Sequence, residues 1–425
     1  MQVRWVKRKR IENRGAAVTF GAMSLERTLL ATQGHIEMNP VTAPSVSRIR
    51  SAFEANFSQG RETGAALSVW QDGREILSLC GGFRDAARQV PWREDTLVLI
   101  WSATKGMASA CALHALDAAG LGLDARVSEF WPGFGRGGKS GITVGQVLSH
   151  SAGLGALDRT DLSVLDHAEV VGAIEEQVPF QEAVGGPGYG PRTFGFLADE
   201  IVRRLNGGVP LGSYWRTQFA EPLGLDLWIG LPGKLHHRAA SVLPARVVAR
   251  DGEDAFLEAM NRPGSLTKKA FSSPGGLLAV TAMNTPAARS ASIPSMGGIG
   301  TASSLAKFYA MLALGGVWQG RRFLGGNTQA WMTTRLSQGF DAVLHLDTAF
   351  SAGFMMDPLD SSGKKSRSLL GPSLSAFGHP GAGGSLGFAD PENRIGFGYV
   401  MNQMEQGVLP GIRAGALVGS LYASD

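Results

Sequence analysis

β-prone segments lie near both ends of this chain, on either side of a long middle rich in helical signals, and this arrangement constrains the fold most. Residues 64–79 contain two β-prone runs around Asp72-Gly73, and an Asp-Gly pair between apolar runs is a strong hairpin signal. The last third of the chain returns to β character before a closing helix over 411–421. Its predicted strands are 350–356, 376–379, 384–390 and 395–402. Strands joined by hairpin-length turns pair antiparallel, so the pattern predicts one sheet assembled from both chain ends.

The middle of the chain combines helices with loops rich in glycine and proline. Apolar spacing and capping residues predict helices over 46–57, 101–119, 193–205, 254–260 and 301–314, with a short one that begins at Thr143. We therefore predict an α+β fold, in which an antiparallel β-sheet flanked by helices carries an inserted all-helical domain. The predicted units are an N-terminal extension over 1–42, an α/β domain from 43–120 and 290–425, and a helical domain over 121–289.

Length, hydrophobicity and charge exclude several classes of protein. The chain has 425 residues, 44% of them hydrophobic and 18% charged, which is typical of a globular protein with a large core. No apolar run approaches the roughly 20 residues of a membrane-spanning helix. The pI of about 9.1 comes from residues 1–14, because the other 411 residues carry 34 basic and 35 acidic side chains. A nucleic-acid partner is therefore not expected.

Targeting and metal signals are also lacking in the sequence. No apolar segment of 7–15 residues follows the basic N-terminal side chains, so no secretory signal is recognised. Cys80 and Cys111 lack metal-ligand spacing and are predicted to be free thiols in a reducing cytoplasm. The pair His236-His237 has no third ligand at metal spacing. We therefore expect a cytoplasmic protein without cofactor or metal, while its oligomeric state is not predicted.

Ser102-Ala103-Thr104-Lys105 is an S-x-x-K motif at the predicted start of a helix. Residues three apart face the same side of a helix, so the Lys105 amine would lie beside the Ser102 hydroxyl. The positive helix end and burial both disfavour an ammonium ion, and a neutral amine could accept the serine proton. On spacing alone, a capping serine followed by a solvated lysine is the commoner arrangement.

Five segments, in order, resemble the serine β-lactamase and penicillin-binding superfamily, and specifically the family VIII carboxylesterases related to class C β-lactamases. The resemblance spans roughly residues 45–420 and implies a β-lactamase/transpeptidase-like fold. The segments are SATK (102–105), LSHSAGL (148–154), GYGPRTFGFL (188–197), GGIGTASSLAKF (297–308) and FGHPGAGGSLGFADPE (377–392).

The second catalytic element of that family is a tyrosine, usually in Tyr-x-Asn, and the resemblance assigns it to Tyr189. A phenol fits this role, because a neighbouring lysine cation would lower its pKa from about 10 and allow it to carry protons to the leaving group. Pro191 stands where the family has the asparagine that helps to hold an amide substrate.

The third element is normally Lys-Thr-Gly on the strand that lines the site, and its match here is His379-Pro380-Gly381. The resemblance implies that His379 is a polar wall residue and that Gly381 lets the strand approach the substrate. The backbone N–H groups of Ala382 and Ser102 would form the oxyanion hole. Loss of the lysine and threonine removes groups that grip a β-lactam carboxylate, which favours neutral esters.

Two other residues can be mistaken for catalytic ones. Ser385 lies in Gly383-Gly384-Ser385-Leu386-Gly387, which fits the G-x-S-x-G motif of α/β-hydrolases. That motif requires a strand, a turn and a helix with a later histidine, whereas Ser385 precedes more strand and no histidine follows it. His150 is expected to be structural and to orient a loop.

The combined prediction is a serine carboxylesterase for short-chain esters, with Ser102, Lys105 and Tyr189 as the catalytic set and Trp101 and Phe194 as pocket walls. Either Lys105 or Tyr189 could be the general base. A β-lactamase or D-alanyl-D-alanine peptidase on the same scaffold, a transacylase and a sensor that is acylated without turnover remain as alternatives. The expected partner is a small-molecule ester.

Overall fold

The computed structural model describes residues 37–38, 44–246 and 254–423, so most of the predicted extension over 1–42 lies outside it. The strands are β1 Glu37–Met38, β2 Gly64–Gln71, β3 Arg74–Gly82, β4 Val98–Trp101, β5 Leu227–Ile229, β6 Gly298–Gly300, β7 Val317–Trp318, β8 Arg321–Arg322, β9 Ser337–Phe340, β10 Asp347–Phe350, β11 Met355–Met356, β12 Phe377–Pro380, β13 Leu386–Asp390 and β14 Ile395–Met401.

Most of the predicted helices are present within about two residues of their predicted bounds, whereas the capped helices α5, α10 and α11 were not predicted. Thr301 caps α12 and Thr143 caps α4 through its side chain. The helices are α1 Pro44–Ser58, α2 Thr104–Ala118, α3 Val127–Phe130, α4 Val144–Leu148, α5 His167–Glu176, α6 Thr193–Leu205, α7 Leu211–Trp215, α8 Glu221–Leu223, α9 Ala255–Asn261, α10 Leu266–Ser272, α11 Pro286–Ser290, α12 Ala302–Ala313, α13 Gly326–Thr333 and α14 Ile412–Tyr422. No helix in these ranges is long and apolar enough to cross a membrane.

One nine-stranded sheet unites the two ends of the chain. Its order is β1-β3-β2-β14-β13-β12-β11-β10-β9, and every pair is antiparallel. The N-terminal hairpin β2–β3 turns at Asp72-Gly73, and β2 pairs with the C-terminal strand β14. The predicted sheet built from both chain ends is therefore confirmed.

Helices cover both faces of the sheet because its strands alternate apolar side chains between them. On one face, Phe53 of α1 and Leu417 of α14 pack with Leu67 and Phe397. On the other face, α2 and α12 pack against the sheet. A Cβ atom at Gly396 would lie 2.2 Å from the backbone nitrogen of Ala310, so glycine permits the close approach of α12.

A second, three-stranded sheet, β4-β6-β5, lies where the inserted region joins the rest of the chain. The insertion is helical except for short strands such as β5, while the predicted domain boundaries remain a prediction. Two element bounds were wrong. Trp101 ends β4 with a φ of 50°, so α2 begins at Thr104 rather than at Trp101. The predicted strand over 350–356 is the end of β10, a turn and β11.

Candidate active site

Ser102 lies in the turn between β4 and α2. The left-handed conformation of Trp101 redirects the chain at this point, and such a conformation is rare for a bulky residue. The Lys105 N–H donates to Ser102 O at 2.9 Å. Thr104 fastens the turn, because its hydroxyl donates to Trp101 O and accepts from Gly298 N. The serine is therefore held between a strand and the first turn of a helix.

Lys105 is fully buried, and its amine contacts three oxygen atoms. Nζ lies 2.9 Å from Ser295 O, 3.0 Å from Pro191 O and 3.3 Å from Ser102 Oγ. Burial lowers the pKa of Lys105 well below its usual range, and the positive charge of Arg192 lowers it further. A neutral amine has two N–H groups for the two carbonyls, which leaves its lone pair for the Ser102 hydroxyl.

Tyr189 completes the cluster from the loop before α6. Tyr189 and Ser102 line the same cavity, and the Tyr189 ring centroid lies 4.8 Å from Lys105 Nζ. Burial raises the pKa of this phenol above its usual value, and the Ser102 hydroxyl lies near enough to the phenol to lower its pKa slightly. The expectation that a lysine cation lowers this pKa was wrong, because burial dominates and also favours a neutral Lys105. The structure thus brings Ser102, Lys105 and Tyr189 together.

Two residues hold the Tyr189 segment in place. The carboxylate of buried Asp341 accepts the Tyr189 N–H at 3.2 Å and the Val343 N–H at 2.9 Å. His150 Nδ1 accepts the Gly190 N–H at 3.1 Å, and the His150 ring packs 5.0 Å from the Tyr189 ring. Sequence reasoning missed Asp341, whose only signal was a single acid within an apolar segment.

Ala382 follows β12 in a short turn of 3-10 helix over Ala382–Gly384. The Gly384 N–H donates to Gly381 O at 3.2 Å, which fixes the peptide that carries the Ala382 N–H. Neither this N–H nor that of Ser102 has an acceptor among the described residues, and both residues line the same cavity. The pair is therefore available to bind an oxyanion.

His379 lines the cavity beside Tyr189, with 5.9 Å between the ring centroids. Nδ1 lies 2.7 Å from Pro380 O, and Nε2 has no partner within the described part of the chain. Burial, with a smaller effect of Lys105, lowers the pKa of His379 to about 3. The imidazole is therefore neutral near pH 7.

The expected reason for glycine at position 381 was wrong. A Cβ atom there would lie 2.2 Å from Ile100 O and 2.1 Å from Ser385 Oγ. The side of Gly381 that would carry a side chain therefore faces β4 rather than the substrate. Ser385 is buried behind the turn and its hydroxyl donates to Ile100 O.

A cavity of about 1280 Å³ opens at Ser102, Tyr189 and His379. Two acidic residues, Asp254 and Glu258, line it at α9, and none of its described lining residues is a lysine or arginine. Trp101 and Phe194, the expected walls, do not line it, and Phe194 packs against His150 in the core. The apolar lining includes Phe256, Met260, Phe271, Leu344, Leu346 and Met355.

The chain is similar to known proteins over most of its length. The model of the Beta-lactamase family matches residues 49–419. Esterase/beta-lactamase LipL of Mycobacterium tuberculosis is 32% identical over 369 residues, which are 85% of this chain and 82% of LipL. A crystal structure of a family VIII carboxylesterase is 34% identical with a TM-score of 0.79 and covers 91% of this chain and 99% of its own. EstA from Arthrobacter nitroguajacolicus Rue61a is 29% identical with a TM-score of 0.75, over 90% and 96% of the two chains.

Proposed function

The chain belongs to the β-lactamase family and is a hydrolase of the esterase/β-lactamase fold, and from this premise we propose that it is a serine carboxylesterase. One observation carries the proposal. A buried amine with a lowered pKa contacts the hydroxyl of Ser102, and a buried phenol lies beside it in the lining of one largely apolar cavity. This is the arrangement that a nucleophilic serine requires, because its hydroxyl must lose a proton as it attacks.

In the proposed acylation, Lys105 accepts the Ser102 proton while Oγ attacks the ester carbonyl. Lys105 is a better base than Tyr189 because its lowered pKa leaves it neutral, whereas the raised pKa of Tyr189 keeps the phenol protonated. The oxyanion would lie between the N–H groups of Ser102 and Ala382.

Tyr189 would then donate its proton to the departing alcohol and recover one from Lys105. Water attacks the acyl group on Ser102 in the second step, with the same groups moving protons in reverse. Because Lys105 and Tyr189 are in contact, their titrations would be coupled.

The cavity favours neutral substrates. None of the described residues that line it is a lysine or arginine, and two of them are acidic, so these residues would offer a substrate carboxylate no cationic partner. Esters with short acyl chains are the proposed substrates, and their apolar alcohol groups would occupy the remaining volume. His379 would form the polar wall beside Ala382.

Turnover of p-nitrophenyl butyrate and of nitrocefin by wild type and Ser102→Ala tests this proposal. We expect efficient hydrolysis of the ester, weak hydrolysis of the β-lactam, and a loss of ester hydrolysis of about 10⁶-fold in Ser102→Ala. Comparable efficiency on both substrates would indicate a β-lactamase or D-alanyl-D-alanine peptidase. A stable adduct on Ser102 with no steady-state turnover would indicate a sensor.

A further inference from the structure

Ser385, the serine of the G-x-S-x-G pattern, lies inside the protein and makes a directed contact. The side chain is fully buried, and its hydroxyl donates to Ile100 O at 2.9 Å. Ile100 is the next-to-last residue of β4, two positions before Ser102. The hydroxyl of Ser385 therefore donates its hydrogen bond to the strand that precedes Ser102.

The backbone of Ser385 contacts the other half of the proposed oxyanion hole. Its carbonyl accepts the Gly381 N–H at 2.7 Å, and Gly381 directly precedes Ala382. One residue thus bonds through its side chain to the segment before Ser102 and through its main chain to the segment before Ala382. The missing side chain at Gly381 leaves these segments in direct contact.

We propose that Ser385 is a positioning residue that sets the spacing between the backbone N–H groups of Ser102 and Ala382. This inference rests on the proposed esterase function and adds a residue that does not touch the substrate. Oxyanion donors must lie about 2.7–3.1 Å from the developing charge, and a displacement of about 1 Å can cost about 100-fold in rate. A hydrogen bond to β4 from Ser385, which lies between the Ala382–Gly384 turn and β13, is well placed to fix that distance.

Other contacts keep the turn folded without the hydroxyl. Gly383 O accepts from Arg413 Nη2 at 2.7 Å and from the Glu405 N–H at 3.0 Å. Strands β12 and β13 also remain paired. Removal of the Ser385 hydroxyl is therefore expected to alter the spacing and leave the fold intact.

The test compares Ser385→Ala with Ser373→Ala by steady-state kinetics and by the Ki of a trifluoromethyl ketone. Ser373 is a matched control, because it is also buried and its hydroxyl donates to Asp390 at the other end of β13. Ser385→Ala should lower kcat by about 10- to 100-fold with little change in KM. The ketone, which forms an oxyanion on the serine, should bind more weakly by a similar factor. Ser373→Ala should retain both values.

Each outcome separates this inference from the function on which it rests. If kcat and the ketone Ki are unchanged in Ser385→Ala while Ser102→Ala is inactive, the positioning role is wrong and the esterase proposal stands. If Ser102→Ala keeps its activity, the proposed function fails first. Ser385→Cys, which keeps the shape and a weak donor, should give intermediate values and replaces the alanine variant if that does not fold.

Discussion

Two fully buried lysines, Lys105 and Lys139, occupy opposite electrostatic environments in this protein. The Lys139 amine donates to three backbone carbonyls, of Arg136, Glu175 and Gln177, at 2.6–2.9 Å. The Lys105 amine contacts two carbonyls and the hydroxyl of Ser102. Three carbonyl acceptors use all three N–H groups of an ammonium ion, whereas two leave one position free for chemistry.

The charged neighbours of the two amines also favour opposite protonation states, a charged Lys139 and a neutral Lys105. The negative charge of Glu175 opposes the effect of burial at Lys139, and its pKa falls only to about 8. At Lys105 no carboxylate of the described residues opposes the effect of burial on the pKa, and the positive charge of Arg192 lowers the pKa further. Burial alone therefore does not make a lysine a base, because its neighbours decide whether the amine stays charged.

Among the variants that test the comparison of the two lysines, Lys105→Met should lose the most activity. Without an acceptor for the Ser102 proton, kcat/KM for p-nitrophenyl butyrate should fall by about 10³- to 10⁴-fold. The free energy of unfolding should change little or rise, since two carbonyls lose a partner while an unfavourable burial is relieved. Lys139→Met is the matched control and should keep its activity per folded molecule. Similar kinetic losses in both variants would remove the distinction between the two sites.

Tyr189→Phe tests whether the Lys105 site needs the phenol as well as the amine. The ring packing against His150 remains in this variant, so the fold should be retained. Without the phenol hydroxyl that lies near Ser102, kcat should fall by about 10²- to 10³-fold. Full activity with esters of poor leaving groups, such as ethyl butyrate, would show that another group protonates the alcohol.

Lys139→Met should be the more damaging of the two lysine variants for stability. Three carbonyls would lose their donor at once, and an unsatisfied buried polar group costs about 1–3 kcal/mol. We expect the free energy of unfolding to fall by about 3 kcal/mol in chemical denaturation. An unchanged midpoint would show that water replaces the amine.

The smallest expected effect is that of His379→Gln on the pH profile of kcat/KM. The pKa of Lys105 is lowered, so the amine is neutral above that pKa, and activity should be lost as the pH falls through it. His379, with a pKa of about 3, should add no ionisation near neutral pH. The profile of kcat/KM in His379→Gln should therefore keep its acid limb. Disappearance of that limb would assign it to the histidine.

The sequence predicted the parts of this site that are local or carried by the resemblance. Helical spacing places Ser102 beside Lys105, and the hairpin and the two-ended sheet follow from turn signals and alternation. The catalytic role of Tyr189, which lies 87 residues after Ser102, was predicted only from the resemblance. The contacts of Lys105 with the carbonyls of Pro191 and Ser295 could not be predicted, because every residue has a carbonyl and only the tertiary fold determines which ones face the amine.

The errors have the same physical origin. Trp101 adopts a left-handed conformation that no residue type signals, so the helix was started too early. The lack of a side chain at Gly381 was predicted to make room for the substrate, whereas it makes room for Ile100 of β4. The environment of Lys139 was not predicted, since the carbonyls of Arg136, Glu175 and Gln177 converge only when the turn at Arg136 packs against the C-terminal end of α5.

Mapping of the trapped acyl group tests most directly whether Ser102 is the nucleophile. Enzyme quenched in acid during turnover of p-nitrophenyl butyrate would be digested, and the acylated peptide identified by mass spectrometry. We predict that the butyryl group lies on Ser102 in wild type and is absent from Ser102→Ala. A butyryl group on Ser385, or turnover by Ser102→Ala without an adduct, would contradict the proposed mechanism.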